Sequence, residues 1–137
     1  PLLIHGPGIA ARTIEQPVTL VDLGPTVLDL FELPTPGVFK GQSLAPLLAG
    51  GSRALDRPLA SEASRGIQTL LLPSGLKVIH DVRGRTVEVY DLGRDPAERV
   101  NLLETGDPKV ASAVETTRLF FEVHRLRRPG YKPPRPF

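Results

Sequence analysis

The sequence predicts a mixed α/β protein, in which a short α/β segment precedes an α+β unit made of a small antiparallel sheet with a helix packed on it. Three observations predict this fold. Apolar residues at helical spacing follow Asp22, four short apolar or alternating runs lie between residues 59 and 92, and a second helical stripe follows Asp107. We expect three parts: the α/β segment over residues 1–52, the sheet and helix over residues 53–128, and a Pro-rich basic tail over residues 129–137.

The α/β segment begins with an apolar run over residues 1–5, which ends at Gly6-Pro7-Gly8. This pattern predicts a buried strand followed by a tight turn. Since a strand that is buried on both faces usually lies in a parallel sheet, we expect its neighbouring strands outside this sequence.

A helix and a helical turn follow in the same segment. Asp22 is a suitable N-cap, Pro25 falls in the first turn where its missing N–H costs little, and Pro34 ends the helix. Residues 41–50 predict a second helical turn, which Ser43 caps and which the glycine at its end terminates.

The α+β unit is predicted from a change to period-two patterning and short apolar runs. Asp107 and Pro108 then serve as cap and first residue of a helix that reaches Leu126, and its apolar stripe covers one face of the sheet. The predicted strands are residues 59–63, 67–72, 76–82 and 86–92, with hairpin turns at residues 73–75 and 83–85.

Composition excludes several classes of protein. The absence of Cys excludes disulfides and thiolate metal sites within the chain. No stretch approaches the roughly 20 uninterrupted apolar residues of a membrane span, so we expect no membrane segment. The chain contains no Met and starts at Pro1 inside an apolar run, and we therefore expect a fragment or a processed product.

Charge is distributed unevenly along the chain. Residues 118–137 carry six cationic residues and one acid, Glu122, whereas the preceding 117 residues carry 11 positive and 14 negative charges. Cations in the last turn of a helix followed by a Pro-rich extended tail explain this end more simply than a nucleic-acid site. We expect no nucleic-acid partner.

Four sequence blocks in order resemble the C-terminal region of sulfatases, in the alkaline-phosphatase-like superfamily. The most informative block reads Glu88-Val-Tyr-Asp-Leu, then Asp95-Pro-Ala-Glu, then Asn101-Leu. It resembles the family's Glu-Leu-Tyr-Asp-Leu, Asp-Pro-x-Glu and Asn-Leu elements. Lys77 belongs to this block as the lysine of the family's last hairpin, and the other three blocks are residues 1–9, 18–30 and 41–48.

The resemblance implies a sulfuric ester hydrolase whose reacting groups lie elsewhere. Sulfatases use a formylglycine made from Cys or Ser in a Cys/Ser-x-Pro-x-Arg motif, together with a Ca²⁺ ion held by Asp and Asn oxygens. The chain has no such motif, because Ser43-Leu-Ala-Pro46 has its proline one place late and no Arg follows. We therefore expect no catalytic residue, metal or cofactor in this chain, and Ca²⁺ and formylglycine in the parent enzyme.

The same resemblance assigns residues 1–52 to the end of the large α/β domain and residues 53–128 to the C-terminal subdomain. It implies a missing N-terminal catalytic part as partner, a sulfated small molecule or glycan as substrate, and a periplasmic or secreted parent. The chain alone should be inactive. An unpaired strand at residues 1–9 would also promote self-association.

Arg65 is the candidate substrate-binding residue, because it lies in the loop that enters the sheet and its charge suits an anionic substrate. The chain departs from the family here: Gln68 stands near the place of a frequent Arg, and Leu76 replaces a Tyr. Tyr90 is predicted to be a half-buried sheet residue rather than a catalytic acid. Asp95, Glu98 and Asn101 are predicted to satisfy backbone groups of one turn.

Other readings of the residues are weaker or remain open. The three histidines, His5, His80 and His124, lack metal-ligand spacing, and no Gly-x-Ser-x-Gly elbow supports a serine hydrolase. Two alternatives remain open. One is the same portion of a phosphodiesterase or phosphonate hydrolase of the superfamily, and the other is a non-catalytic binding or assembly module that uses the basic tail.

Overall fold

The computed structural model describes residues 2–52, 56–63 and 66–124. The chain divides into two compact units, Pro1–Leu55 and Asp56–Phe137. The first unit contains short helices, and the second contains a four-stranded antiparallel sheet and a long helix. The predicted mixed α/β fold is therefore confirmed, whereas the assignment of the two segments to domains of a parent enzyme stays a prediction. The predicted tail, residues 129–137, lies outside the described residues.

The first unit has two α-helices: α1, Leu23–Leu30, continues a 3-10 turn at Leu20–Asp22, and α2 is Ala45–Leu48. The predicted tight turn is present, since the Ile9 N–H donates to the Gly6 carbonyl at 3.2 Å and Gly8 has φ 76°. A proline followed by a glycine with positive φ is the sequence that a type II turn requires.

The predicted strand over residues 1–5 is wrong for the residues that the structure describes. Residues 2–5 have no regular secondary structure, and the side chain of Leu3 is 92% exposed. A strand exists only where a second strand supplies hydrogen-bonding partners, and residues 2–52 contain no strand that could pair with this run.

Asp22 directly precedes α1, as predicted for its N-cap, but its side chain makes no capping hydrogen bond to that helix. The helical stretch begins earlier, after Thr19, and Asp22 itself has helical dihedrals, φ −77° and ψ −18°. Its carboxylate turns back and accepts the Thr19 N–H at 3.1 Å. Asp22 thus satisfies a donor at the start of the helical stretch from one turn inside it.

The second unit is built on a sheet of order β1-β2-β3-β4, in which every neighbouring pair is antiparallel. The hairpin turns form where they were predicted. Gly75 takes φ 86°, and the Asp81 carboxylate accepts the Arg83 and Gly84 N–H groups at 2.9 and 2.8 Å. The strands are β1, Leu59–Ala63; β2, Ile67–Leu71; β3, Leu76–Asp81; and β4, Thr86–Asp91.

One face of this sheet carries the core of the second unit. Helix α3, Pro108–His124, packs on it, and its first residues are fixed by Asp107, whose carboxylate accepts the Lys109 N–H at 2.8 Å. The predicted end of this helix at Leu126 lies outside the described residues. The cluster buried between helix and sheet consists of Leu70, Leu72, Val78, Val89, Val110 and Ala113. Burial of each leucine or valine side chain of the cluster stabilises the unit by about 1.5–3 kcal/mol. Among the described residues, no helix is both long and apolar enough to cross a bilayer.

Candidate functional site

The polar residues of the first unit form a cluster on the inner face of α1. Asp22 is fully buried, and its carboxylate accepts the Gln42 N–H at 2.8 Å in addition to the Thr19 N–H. Thr26, one turn later, accepts the Leu44 N–H at 2.8 Å through its hydroxyl. These two side chains therefore hold the loop before α2 against α1.

The same loop is fixed at two further points. The Ser43 hydroxyl donates to the Asp29 carboxylate and accepts the Ala45 N–H at 3.1 Å, although the N-cap position of α2 is Leu44 and not Ser43 as predicted. Gly41 lies so close to α1 that an added Cβ would stand 1.9 Å from the Val21 carbonyl oxygen. Only a residue without a side chain permits this approach.

The opposite face of α1 is apolar and open to solvent. Its exposed side chains are Leu20 at 77%, Val27 at 52%, Leu30 at 48% and Phe31 at 73%. A helix of a globular protein normally turns its apolar stripe inward and its polar stripe outward. Around α1 the polar Asp22 and Thr26 are buried while these four apolar side chains are exposed, so this stripe is a surface suited to contact with other protein.

The second unit has a polar cluster around the segment that follows β4. The Asp95 carboxylate accepts the N–H groups of Arg99 and Val100 at 2.7 and 2.8 Å, as predicted for a turn. Asn101 also binds a backbone group outside its own turn, which was not predicted. Its side-chain oxygen accepts the Leu103 N–H and the Val89 N–H of β4, both at 3.0 Å.

The predicted role of Glu98 as a partner for backbone groups is wrong. Glu98 has φ 53°, and its carboxylate forms an ion pair with the Lys77 ammonium of β3 at 2.7 Å. Both side chains are mostly buried, with exposed fractions of 24% for Lys77 and 31% for Glu98. The ion pair therefore ties the segment after β4 to β3.

Tyr90 is half-buried on β4, as predicted, and its hydroxyl donates to the Glu88 carboxylate at 3.2 Å. Partial burial of the phenol and, second, the hydrogen bond to Glu88 raise the pKa of Tyr90 above its ordinary value. A phenol that holds its proton more firmly is a poorer general acid.

The candidate Arg65 lies outside the described residues. On either side of it, the Gly66 N–H donates to the Ala63 carbonyl at 3.0 Å. Gln68, which stands where the family often has an Arg, donates to the Glu62 carboxylate at 2.9 Å. That interaction leaves the Gln68 amide pointing along the sheet surface between β1 and β2.

The structure does not bring the three histidines together in a metal site among the described residues. The His124 ring stacks on Phe120 with centroids 4.2 Å apart, and its Nδ1 lies 2.7 Å from the Phe120 carbonyl oxygen. Over the described residues, no group of three or more His, Asp or Glu side chains could hold a metal ion. Those residues therefore do not fit a Ca²⁺ site, and no chemical step is assigned to calcium in this chain.

The polar side chains described above fix chain segments. The carboxylates of Asp22 and Asp95 accept backbone N–H groups, and Glu98 neutralises Lys77. The motif positions were visible in the sequence, but the burial of Asp22 and Thr26 was not predicted. The signal was their spacing of four residues, which places both on one helix face, next to a Gly-x-Ser segment that needs hydrogen-bond partners.

Comparison with known proteins identifies close sequence relatives, although no protein-family profile matches the chain. The chain is 30% identical over 140 residues to the Delta 4,5-hexuronate-2-O-sulfatase of Bacteroides thetaiotaomicron, covering 93% of this chain and 28% of the relative. It is 31% identical over 149 residues to arylsulfatase K of Mus musculus, covering 93% of this chain and 27% of the relative. The chain thus spans little more than a quarter of the length of these curated relatives.

Solved structures give the same picture of the fold. A 2-O GAG sulfatase superposes with a TM-score of 0.57 at 30% identity, over 74% of this chain and 23% of that protein. A phosphonate monoester hydrolase from Silicibacter pomeroyi superposes with a TM-score of 0.55 over 93% of this chain and 29% of that protein. At 21% identity, this second similarity concerns the fold alone.

Proposed function

The chain is homologous to the C-terminal part of sulfatases, and from this premise we propose that it serves as the C-terminal portion of a sulfuric ester hydrolase. In that role it supplies scaffold and active-site rim, and it contributes no reacting group. The observation that carries the proposal is the similarity to the hexuronate sulfatase over 93% of this chain but only 28% of that enzyme.

The use of the signature residues supports a scaffold role. Asp22, Asp95 and Asn101 each accept two backbone N–H groups, so their oxygens already have partners inside the protein. A residue that is committed to holding backbone in this way is poorly suited to binding a substrate. In the block of sequence that identifies the family, these side chains therefore serve to hold the fold.

The exposed apolar stripe of α1 supports a position within a larger protein. Leu20, Val27, Leu30 and Phe31 together present an apolar surface along the 3-10 turn, α1 and the residue that follows it. Covering such side chains stabilises a structure by about 25 cal/mol for each Å² removed from water. We expect the upstream catalytic part of the sulfatase to cover this stripe, and self-association of the chain when that part is absent.

The substrate and cofactors follow from the same proposal. The relatives are named for sulfate groups on hexuronate and on aryl compounds, and we expect a sulfated small molecule or glycan for the parent of this chain. Arg65 is our candidate for a contact with its anionic groups. The Ca²⁺ ion and the formylglycine that the family uses would lie in the upstream part, because the described residues do not fit a Ca²⁺ site.

The test is to express the longer polypeptide that the proposal requires and to compare its hydrolysis of sulfate esters with that of phosphonate and phosphate diesters. We expect sulfate release that depends on added Ca²⁺ and on the upstream Cys or Ser that is converted to formylglycine. Preferential hydrolysis of a phosphonate ester would contradict the sulfatase assignment and favour the other branch of the superfamily.

A further inference from the structure

The β3–β4 turn, residues 82–85, presents two arginines at one end of the sheet. Arg83 and Arg85 are both exposed and are separated only by Gly84. Because consecutive Cα atoms lie about 3.8 Å apart, the two Cα atoms are within about 7.6 Å of each other. One short turn thus carries two cationic side chains, of which Arg83 extends past Gly66 at the start of β2.

The backbone of this turn is held in place by the hairpin. Asp81 pairs with Thr86 across the strands, and the Asp81 carboxylate accepts the Arg83 and Gly84 N–H groups. The turn also adjoins the start of β2, because the Val82 N–H donates to the Gly66 carbonyl at 3.1 Å. A fixed backbone lowers the entropy that the two side chains lose when they bind a ligand.

Neither guanidinium group has an acidic partner among the residues that the structure describes. The ion pairs there involve Lys77, Arg94 and Arg118. The nearest acid in sequence, Asp81, is already engaged by two backbone N–H groups. Among the described residues, neither arginine is therefore held in an ion pair, and both can attract anions from solution.

Arginine is well matched to an oxyanion of this kind. Its planar fork of N–H donors can bind two oxygens of one sulfate or phosphate group at once. Two adjacent arginines suit a ligand that carries several such groups close together, as a sulfated polysaccharide does. The proposed function makes the sulfated chain the relevant source of these groups.

We propose that the β3–β4 turn is a binding site for a sulfated polysaccharide, in which Arg83 and Arg85 each bind a sulfate group. This inference rests on the proposed function for the identity of the ligand. The site itself rests on the exposed, unneutralised guanidinium pair and on the hydrogen-bonded turn that carries it.

The test measures binding of heparin to the 137-residue chain by titration calorimetry at several salt concentrations. The variant Arg83→Gln/Arg85→Gln should bind about tenfold more weakly at moderate salt, because two exposed charge-assisted contacts are lost. The dependence of log affinity on log salt should become shallower by about one for each arginine removed. The matched control is Arg94→Gln/Lys109→Gln, which removes the same charge beyond the other end of β4 and should change the affinity less than twofold.

Each other outcome overturns the inference. An equal loss in both variants would mean that net charge alone controls binding, and no loss in either would place the heparin contacts elsewhere, for example in residues 125–137. Equal, arginine-dependent binding of unsulfated hyaluronan or of single-stranded DNA would remove the preference for sulfate. Matching far-UV circular dichroism of all variants checks that each is folded.

The inference and the proposed function fail separately. Arginine-dependent heparin binding by a chain whose longer polypeptide hydrolyses no sulfate ester would contradict the proposed function and keep the site. Sulfate hydrolysis by that polypeptide, with heparin binding unchanged in the arginine variant, would contradict the arginine site and keep the proposed function.

Discussion

Replacement of Asn101 by Ala tests whether the family signature in this chain serves folding. The side-chain oxygen of Asn101 accepts the Val89 and Leu103 N–H groups, and the Leu102 N–H donates to the Val89 carbonyl at 2.8 Å. This segment therefore covers the outer edge of β4, which is an edge strand of the sheet. Without the side chain, the Val89 N–H beside the core loses its partner.

The expected loss of stability follows from the two hydrogen bonds. An unsatisfied donor in a partly buried place costs about 1–3 kcal/mol, and the exposed Leu103 donor can bond to water at little cost. We expect Asn101→Ala to lower the free energy of unfolding by about 1–2 kcal/mol. With a urea m-value of about 1–2 kcal/mol/M, the unfolding midpoint should fall by roughly 1 M.

The assay is urea unfolding followed by far-UV circular dichroism, combined with hydrogen exchange at the Val89 amide. The matched control is Asn101→Asp, which keeps the acceptor oxygen and should change the stability by less than about 0.5 kcal/mol. The Val89 amide should exchange faster in the Ala variant only. Equal midpoints for the wild type and both variants, with unchanged exchange at Val89, would refute the reasoning.

Two further predictions concern a close contact and a titrating group. Gly41→Ala places a Cβ 1.9 Å from the Val21 carbonyl oxygen and should disorder the first unit, whereas Gly37→Ala, with open space around its Cβ, should not; amide NMR spectra in which both variants keep the wild-type pattern would argue against this. The hydrogen bond from Arg118 lowers the pKa of Glu115, so this pair stabilises the folded chain above the carboxyl's unfolded pKa, and the effect is lost as the pH falls through the folded pKa. Arg118→Gln should raise the Glu115 pKa in an NMR titration, and an unchanged value would disprove the coupling.

The sheet and the long helix could be predicted from the sequence because their signals are local. Turn residues such as Gly75 separate runs with period-two patterning, and each run pairs with its neighbour in the chain. Asp107 and Pro108 likewise mark the start of α3 within two residues. For such elements, the information that specifies the structure lies within about ten residues.

The errors arose where the structure depends on distant partners. The run at residues 2–5 is apolar, but it has no second strand among residues 2–52. Asp22 is of the residue type that caps helices, but its carboxylate accepts the N–H of Gln42, which is 20 residues away. Glu98 was assigned to its own turn, although Lys77 on another strand binds it. None of these partners can be identified from local spacing.

The general character of the candidate site could be predicted from the sequence, but its individual contacts could not. The absence of the formylglycine motif could be read from the sequence, and it agrees with signature residues that bind backbone groups. The assignment of Arg65 to substrate binding stays a prediction, because this residue lies outside the described part of the chain. Its role depends on surfaces that a sulfatase would bring from its upstream part.

The most direct test of the central claim is an activity assay of the purified 137-residue chain with Ca²⁺ added and a chromogenic aryl sulfate as substrate. We expect no sulfate release above the buffer blank, because on the proposed function the chain supplies scaffold and the reacting groups lie upstream. Turnover that rises with chain concentration and is inhibited by a sulfate analogue would contradict it.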